Sequence, residues 1–331
     1  LLDKHLLHRR VQKNVKCIAS KYTQRPVFGL HKNEETKFAE HLQTTMQTIT
    51  QTIATLDDPR IALYRNLRGT PATHSAERVF VTEGYKLTSK LLYSGLEVVS
   101  LFALPAYYDR LRREHPEQLL RLENTPERLL TASAAIMHEI VGFRLHEGIM
   151  ALAKQPPERL LNECSLAELA AHRSPIVALC GVVDSENVGS IVRNCAAFGV
   201  SALVTDAATS SPYLRRAVRV SMGGIFAITV FSSQDLCKSC QTLKEQGWTI
   251  VGAELTPDAI ALHHFQFPAR SVVIVGSEGR GIPDTVLAVC DVVVAVPMHT
   301  TTLQAMSLNV SAASAVLLYA ARFGSLQTLE Q

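Results

Sequence analysis

The sequence predicts an α/β fold whose second half is a parallel, largely buried sheet, and three observations carry that reading. After Pro175, short runs rich in Val, Ile and Ala alternate strictly with amphipathic stretches, the order of a chain that returns across one sheet through helices. Three of those runs end in polar or glycine-rich turns, where open α/β sheets gather helix N-termini and free backbone groups around a ligand. At 331 residues the chain also exceeds what one core comfortably organises, so a second, smaller unit is expected ahead of this sheet.

Residues 1–70 are expected to form a basic arm and a helical extension. The first 35 carry eight Lys and Arg against three acids and no sustained period. From Glu35 to Leu56, Phe38, Leu42, Met46, Ile49 and Ile53 recur at helical steps. Asp57-Asp58-Pro59 ends that helix and opens a short one to Leu67.

Residues 71–157 read as a compact α/β unit. Arg78–Thr82 is a strand, Glu83-Gly84 a turn, Tyr85–Ser94 a helix closed by Gly95, and Val98–Leu104 a second strand. Tyr107–Leu120 reads as one helix and Gly148–Ala153 as a closing strand. Over 158–174, after Pro156-Pro157 stiffens the exit, Leu160–Ala171 is expected to be a linker helix.

From 175 to 331 the alternation runs through strand Ile176–Val183, helix Val188–Phe198, strand Ala202–Thr205, helix Pro212–Ser221, strand Ile225–Phe231, helix Gln234–Gln246 and strand Thr249–Ala253. It continues with strand Ser271–Val275, helix Pro283–Ala288, strand Val292–Val296 and helix Ser307–Phe323.

Composition narrows the function classes. No apolar run reaches the ~18 residues of a membrane span, and the longest, near Ala312–Ala321, is broken by Ser314. Seven scattered cysteines make no disulfide framework and point to a reducing compartment; Cys237 and Cys240, without a second pair, read as helix residues. Residues 60–160 carry fourteen Lys and Arg against eleven acids, whereas those after 160 carry ten against thirteen. A basic front suits a polyanion partner and an acidic back suits the chemistry, although a solvated surface with a basic tail fits the same charges.

Gly276-x-x-Gly279-x-Gly281 is neither the dinucleotide fingerprint nor a phosphate loop. It lies between two further motifs: Asn187-Val188-Gly189 with Arg193-Asn194 and Phe198-Gly199, and Ser307-Leu308-Asn309-Val310-Ser311. In order and spacing the three resemble the motifs of SpoU-type (TrmH-like) RNA ribose 2'-O-methyltransferases of the SPOUT superfamily. The resemblance covers about 175–324 and, more loosely, the segment from about Arg78, where Val81-Thr82-Glu83-Gly84 resembles the opening of that family's small α/β RNA-binding domain.

The resemblance implies a SpoU methyltransferase domain over 175–331 with a C-terminal trefoil knot and S-adenosylmethionine as cofactor. It places Gly276, Ser277, Glu278, Gly279, Ile282, Val296, Met298, Ser307 and Leu308 around the cofactor. Catalytic roles fall to Arg193, Asn187, Glu278, Ser307 and Asn309. Arg193, always protonated, would anchor the target phosphate and stabilise alkoxide charge rather than act as a base. Asn187 and Ser307 also suit helix N-caps. Arg193, Arg215, Arg216 and Arg219 would contact RNA, unless the last three simply cover a solvated helix.

The resemblance further implies a homodimer, in which the apolar helix Ala312–Ala321 would take part; a cytoplasmic protein is expected, and the front domain suggests a large structured RNA, ribosomal ahead of transfer RNA, as substrate. One departure is that Met298–Met306 is about three residues longer than in the family and lacks its glycine. His299, a lone loop histidine, is more simply incidental than a base. Two other classes fit less well: a non-catalytic RNA-binding or ribosome-assembly protein has no reason to keep Arg193, Glu278 and Asn309 together, and a small-molecule transferase leaves the basic front unexplained.

Overall fold

A computed structural model of the chain describes residues 50–65, 67, 72–123, 125–142, 147–161, 168–169, 171–172, 175–299 and 307–324. The arm over 1–35, the helix expected over 35–49 and most of the long loop 298–306 lie outside those residues.

The first sheet has five strands: β1 (Gln51–Thr52), β2 (Val79–Glu83), β3 (Val98–Ala103), β4 (Leu129–Thr131) and β5 (Ile149–Lys154), in the order β1-β4-β3-β5-β2. β5 runs antiparallel between β2 and β3, while β3, β4 and β1 are parallel. The helix expected to reach Leu56 is therefore a strand at its end. Ile53, buried against β4, donates its N–H to Thr131 O at 2.7 Å, and a sheet edge outweighs helical periodicity there.

Helices α1 (Ala72–Ala76), α2 (Tyr85–Tyr93), α3 (Pro105–Glu114), α4 (Pro116–Glu123) and α5 (Ala134–Val141) accompany this sheet. The single helix expected over 107–120 is two. Pro116 has no N–H to continue the ladder and forces His115 out of helical geometry, to φ −139° and ψ 52°. Tyr64, Phe102, Leu130 and Met150 centre the core, and the buried Tyr64 hydroxyl is satisfied by Ser100 O at 3.0 Å.

The second sheet is wholly parallel. Its strands are β6 (Arg159–Leu160), β7 (Ile176–Leu179), β8 (Ala202–Asp206), β9 (Thr229–Ser233), β10 (Thr249–Ala253), β11 (Ile260–Ala261), β12 (Ser271–Val275) and β13 (Val292–Ala295). Their order is β11-β13-β10-β12-β7-β8-β9-β6. The stretch read as a linker helix thus begins as edge strand β6, paired with β9; Glu168 and Leu169 are helical.

Between the strands run α6 (Ser185–Ala197), α7 (Arg215–Val220), α8 (Leu236–Glu245) and α9 (Asp284–Leu287), and α10 (Val310–Phe323) follows the last strand. Cys237 and Cys240 sit on α8 as ordinary helix residues, Cys240 in a core with Leu243, Trp248 and Ile274. Neighbours β7 and β12 send the chain in opposite directions, β7 toward β8 and β12 toward β13. Loops that diverge from adjacent parallel strands leave a crevice at their carboxyl ends. All three motifs border that crevice.

The segment 211–227 joins the two sheets. Phe80 of β2 packs on Tyr213 and Phe226 at centroid distances of 5.7 and 5.9 Å. Lys90 donates to Met222 O at 2.6 Å, and Arg215 pairs with Glu83 at 2.8 Å, the side chains only 14% and 6% exposed.

Candidate active site

β12 is a fully buried run that ends at Gly276, where the chain folds back on itself. Ser277 N–H donates to Gly281 O at 3.2 Å, Gly281 N–H returns to Ser277 O at 2.8 Å, and Ser277 Oγ accepts from Arg280 N–H at 3.2 Å. The turn explains two glycines by its own packing. A Cβ on Gly276 would collide with the Gly281 carbonyl carbon and come within 2.5 Å of Gly281 O and Ile282 N. Gly281 sits at φ +65°, the left-handed region. Gly279 is different: a Cβ there meets nothing within 4 Å, so it is the glycine whose smallness the fold itself does not require.

The N-cap of α6 is Asp184, which accepts from Glu186 N–H at 2.6 Å, so Asn187 lies in the first turn rather than at the cap. α10 is capped by Asn309, through Ser311 N–H at 2.9 Å, and not by Ser307. This frees Asn187 and engages Asn309 twice. The Asn309 Nδ2 donates to Asn187 Oδ1 at 3.1 Å and to Glu278 Oε1, so one amide ties the three motifs together. Behind this node, Asn194 of α6 donates to Ser311 O and Ser314 Oγ at 2.8 and 2.9 Å, clamping α6 to α10. Gly189 serves the packing of α6 on α7, where a Cβ would reach Ala217 O at 2.5 Å.

Beside the turn opens a cavity of about 310 Å³. Gly276, Ser277, Glu278, Val296, Met298, Ser307 and Leu308 line it, with an apolar wall from Val294, Val310 and Leu317. Two expected cofactor residues do not. Gly279 is at the tip of the turn, and Ile282 is buried with its N–H given to Glu254 Oε2 at 2.7 Å. Among the described residues, the backbones of Glu278, Met298, Ser307 and Leu308 make no hydrogen bond, so donors and acceptors stand free around the cavity. Free backbone groups beside an apolar wall fit an adenosyl-type ligand.

Glu254 lines the same cavity and escaped the sequence reading. Its only signal was a charged residue just past the end of β10.

The arginines separate. Arg193 is exposed on α6, outside the Asn187–Asn309–Glu278 hydrogen bonds, its Cα beside the close-packed Gly224. Arg219 is exposed on α7, and Arg216 makes a loose exposed pair with Glu186 at 3.8 Å. Arg215, expected to meet RNA, is instead committed to Glu83 across the two sheets. His299 is exposed and does not line the cavity.

Cys180, at the end of β7, is no nucleophile: burial and then the Asp206 carboxylate push its thiol up to about 12. A second, larger cleft of about 610 Å³ runs between Arg78, Pro156, Tyr213 and Ser232. Of the expected site residues it holds only Arg215, whereas the smaller cavity holds Gly276, Ser277, Glu278, Val296, Met298, Ser307 and Leu308.

Known proteins resemble this chain in sequence and in fold. The model described as the SpoU rRNA Methylase family matches residues 174–319. A Mycobacterium bovis protein named as an uncharacterized tRNA/rRNA methyltransferase is 32% identical over 278 residues, 81% of this chain and 90% of that protein. The 23S rRNA (guanosine-2'-O-)-methyltransferase RlmB of Vibrio vulnificus is 32% identical over 53% of this chain and 70% of its own. Among solved structures, an AdoMet-bound rRNA methyltransferase from Sinorhizobium meliloti superposes with a TM-score of 0.68. It covers 85% of this chain and 99% of that one at 19% identity, a likeness of fold.

Proposed function

This chain belongs to the SpoU rRNA methylase family, and from that premise we propose that it moves a methyl group from S-adenosylmethionine to a ribose 2'-hydroxyl of structured RNA. The single observation that supports this most is the Asn309 amide joining Asn187 and Glu278 at the rim of a cavity with unpaired backbone groups. When bound, the cofactor supplies an electrophilic methyl on a sulfonium.

The residues of the chain divide the remaining work. The free backbone groups of Glu278, Met298, Ser307 and Leu308 hold the adenosyl and methionyl parts, and Gly276 keeps the turn closed beneath them. Asn187 and Ser307 orient the ribose, with Asn187 and Glu278 both fixed by Asn309. Arg193 binds the target phosphate and stabilises charge on the 2'-oxygen as its proton passes to solvent. Arg216 and Arg219, with exposed heads, take neighbouring phosphates, while Arg215 holds the α7 segment to β2.

Val316, Tyr319 and Phe323 leave an apolar, aromatic face on α10 exposed, with Phe198 packed edge-on against Tyr319 and Phe323. Such a face suits a homodimer contact, and the trefoil knot belongs to the same reading. Ribosomal RNA is the preferred substrate, in the cytoplasm, in keeping with the large structured RNAs that a separate front sheet can engage.

The test is incubation with labelled S-adenosylmethionine and total RNA, followed by mapping of ribose methylation. Wild type should label one ribose type at a defined site. Arg193→Ala should lose about 10²- to 10³-fold in rate while binding the cofactor as before. Label on a base, or no label from wild type, would sink the proposal.

A further inference from the structure

The cavity beside the Gly276–Gly281 turn carries three charged side chains, Glu254, Glu278 and Arg280. Glu278 and Arg280 are exposed, and Glu278 is turned toward Asn309. Glu254 is partly buried and held rigidly: Oε2 accepts from Ile282 N–H at 2.7 Å and Oε1 from Leu255 N–H at 2.9 Å. The Gly281 backbone lies against it so tightly that a Cβ there would collide with Oε2 and come within 2.9 Å of Cδ. Each carboxylate oxygen accepts one of these bonds and has a second lone pair, on a side chain that lines the cavity.

Closing the turn does not by itself require a charge. A neutral acceptor would take the Ile282 N–H at lower desolvation cost. What the carboxylate adds is a fixed negative field in a small, partly apolar space. A sulfonium methyl donor carries one positive charge more than the thioether left after transfer. Resting on the donor reading above, we propose that Glu254 is a specificity-determining residue that makes the cavity prefer the sulfonium donor over its thioether product, so that transfer itself loosens what is bound.

A cavity of about 310 Å³ is about 8 Å across, so a ligand sulfur lies within about that distance of the carboxylate; with an effective dielectric of roughly 20 to 80, the preference is roughly twofold to thirtyfold.

The test is calorimetry on the full chain with S-adenosylmethionine and S-adenosylhomocysteine, using wild type, Glu254→Gln and Glu254→Asp. The donor-to-product affinity ratio is read within each sample, so a general loosening of the turn cancels. Glu254→Gln should lower the ratio by at least about twofold. Glu254→Asp, which keeps the charge, should preserve the ratio even as both affinities fall. Equal losses for both ligands in Glu254→Gln, or a ratio lowered as much by Asp as by Gln, would overturn the proposal.

Should Gln open the turn too far for either ligand to bind, salt supplies the second measurement. Raising it from about 0.05 to about 0.5 M should shrink the wild-type ratio, and a salt-independent ratio overturns the proposal. Failure of wild type to bind the donor at all would overturn the donor reading instead.

Discussion

Replacing Gly276 by alanine tests the turn on which the cavity depends. The three atoms nearest the added Cβ are all backbone, Gly281 O and Ile282 N among them at 2.5 Å, so no side-chain movement relieves that contact. Overpacking of this kind costs about 1 to 3 kcal/mol. Opening the turn also loosens the paired bonds between Ser277 and Gly281, at 3.2 and 2.8 Å, each contributing about 1 kcal/mol. The expected destabilisation, if both bonds are lost, is therefore about 3 to 5 kcal/mol, read as a lower urea midpoint, with S-adenosylmethionine affinity reduced at least about tenfold. Gly279→Ala is the control. Its Cβ enters open space, so stability should stay within about 0.5 kcal/mol, and any lost affinity reports the ligand's approach. A Gly276→Ala protein with wild-type stability and affinity would refute this account of the turn.

Other substitutions separate folding from chemistry. Asn309→Asp keeps the acceptor that caps α10 but sets an oxygen against Asn187 Oδ1 and Glu278 Oε1; methyl transfer should fall about 10²-fold while the urea midpoint changes little. Arg215→Ala strands Glu83 in a pair only 14% and 6% exposed and should cost roughly 3 kcal/mol, most of it recovered in Glu83→Leu/Arg215→Met; a stable single mutant with weakened RNA binding would restore Arg215 to the RNA surface. Burial, opposed by Glu168 and aided by Arg159, lowers the pKa of His172 below 6.5. The folded state thus favours the neutral ring, and this contribution is full above about pH 6.5 and lost as the pH falls. The urea midpoint should drop between about pH 7 and pH 5, less so in His172→Gln.

The middle of the parallel sheet was legible because β7, β8, β10 and β12 are largely buried apolar runs long enough to show themselves, and Thr249–Ala253 and Ser271–Val275 lie where the sequence places them. Strands of two residues, such as 51–52, 159–160 and 260–261, carry no period; they exist because a neighbouring edge accepts them. The break at His115 was available from Pro116 and was overridden by the apolar pattern around it.

At the site, the motifs located the turns, but not which polar group serves which end. Asp184 took the cap expected of Asn187, and Asn309 took that of Ser307, since caps depend on where the first helical turn begins. The Arg215–Glu83 pair spans 132 positions and leaves no local trace. Glu254 became visible only when β10 was laid beside β12, which brings its carboxylate to the Ile282 amide.

Hydrogen–deuterium exchange with and without S-adenosylmethionine asks most directly whether the three motifs enclose one donor site. New protection should appear in peptides covering 276–282 and 307–310, with the larger cleft at 155–160 and 211–215 unchanged. Protection confined to that cleft, or none at saturating ligand, would contradict the account.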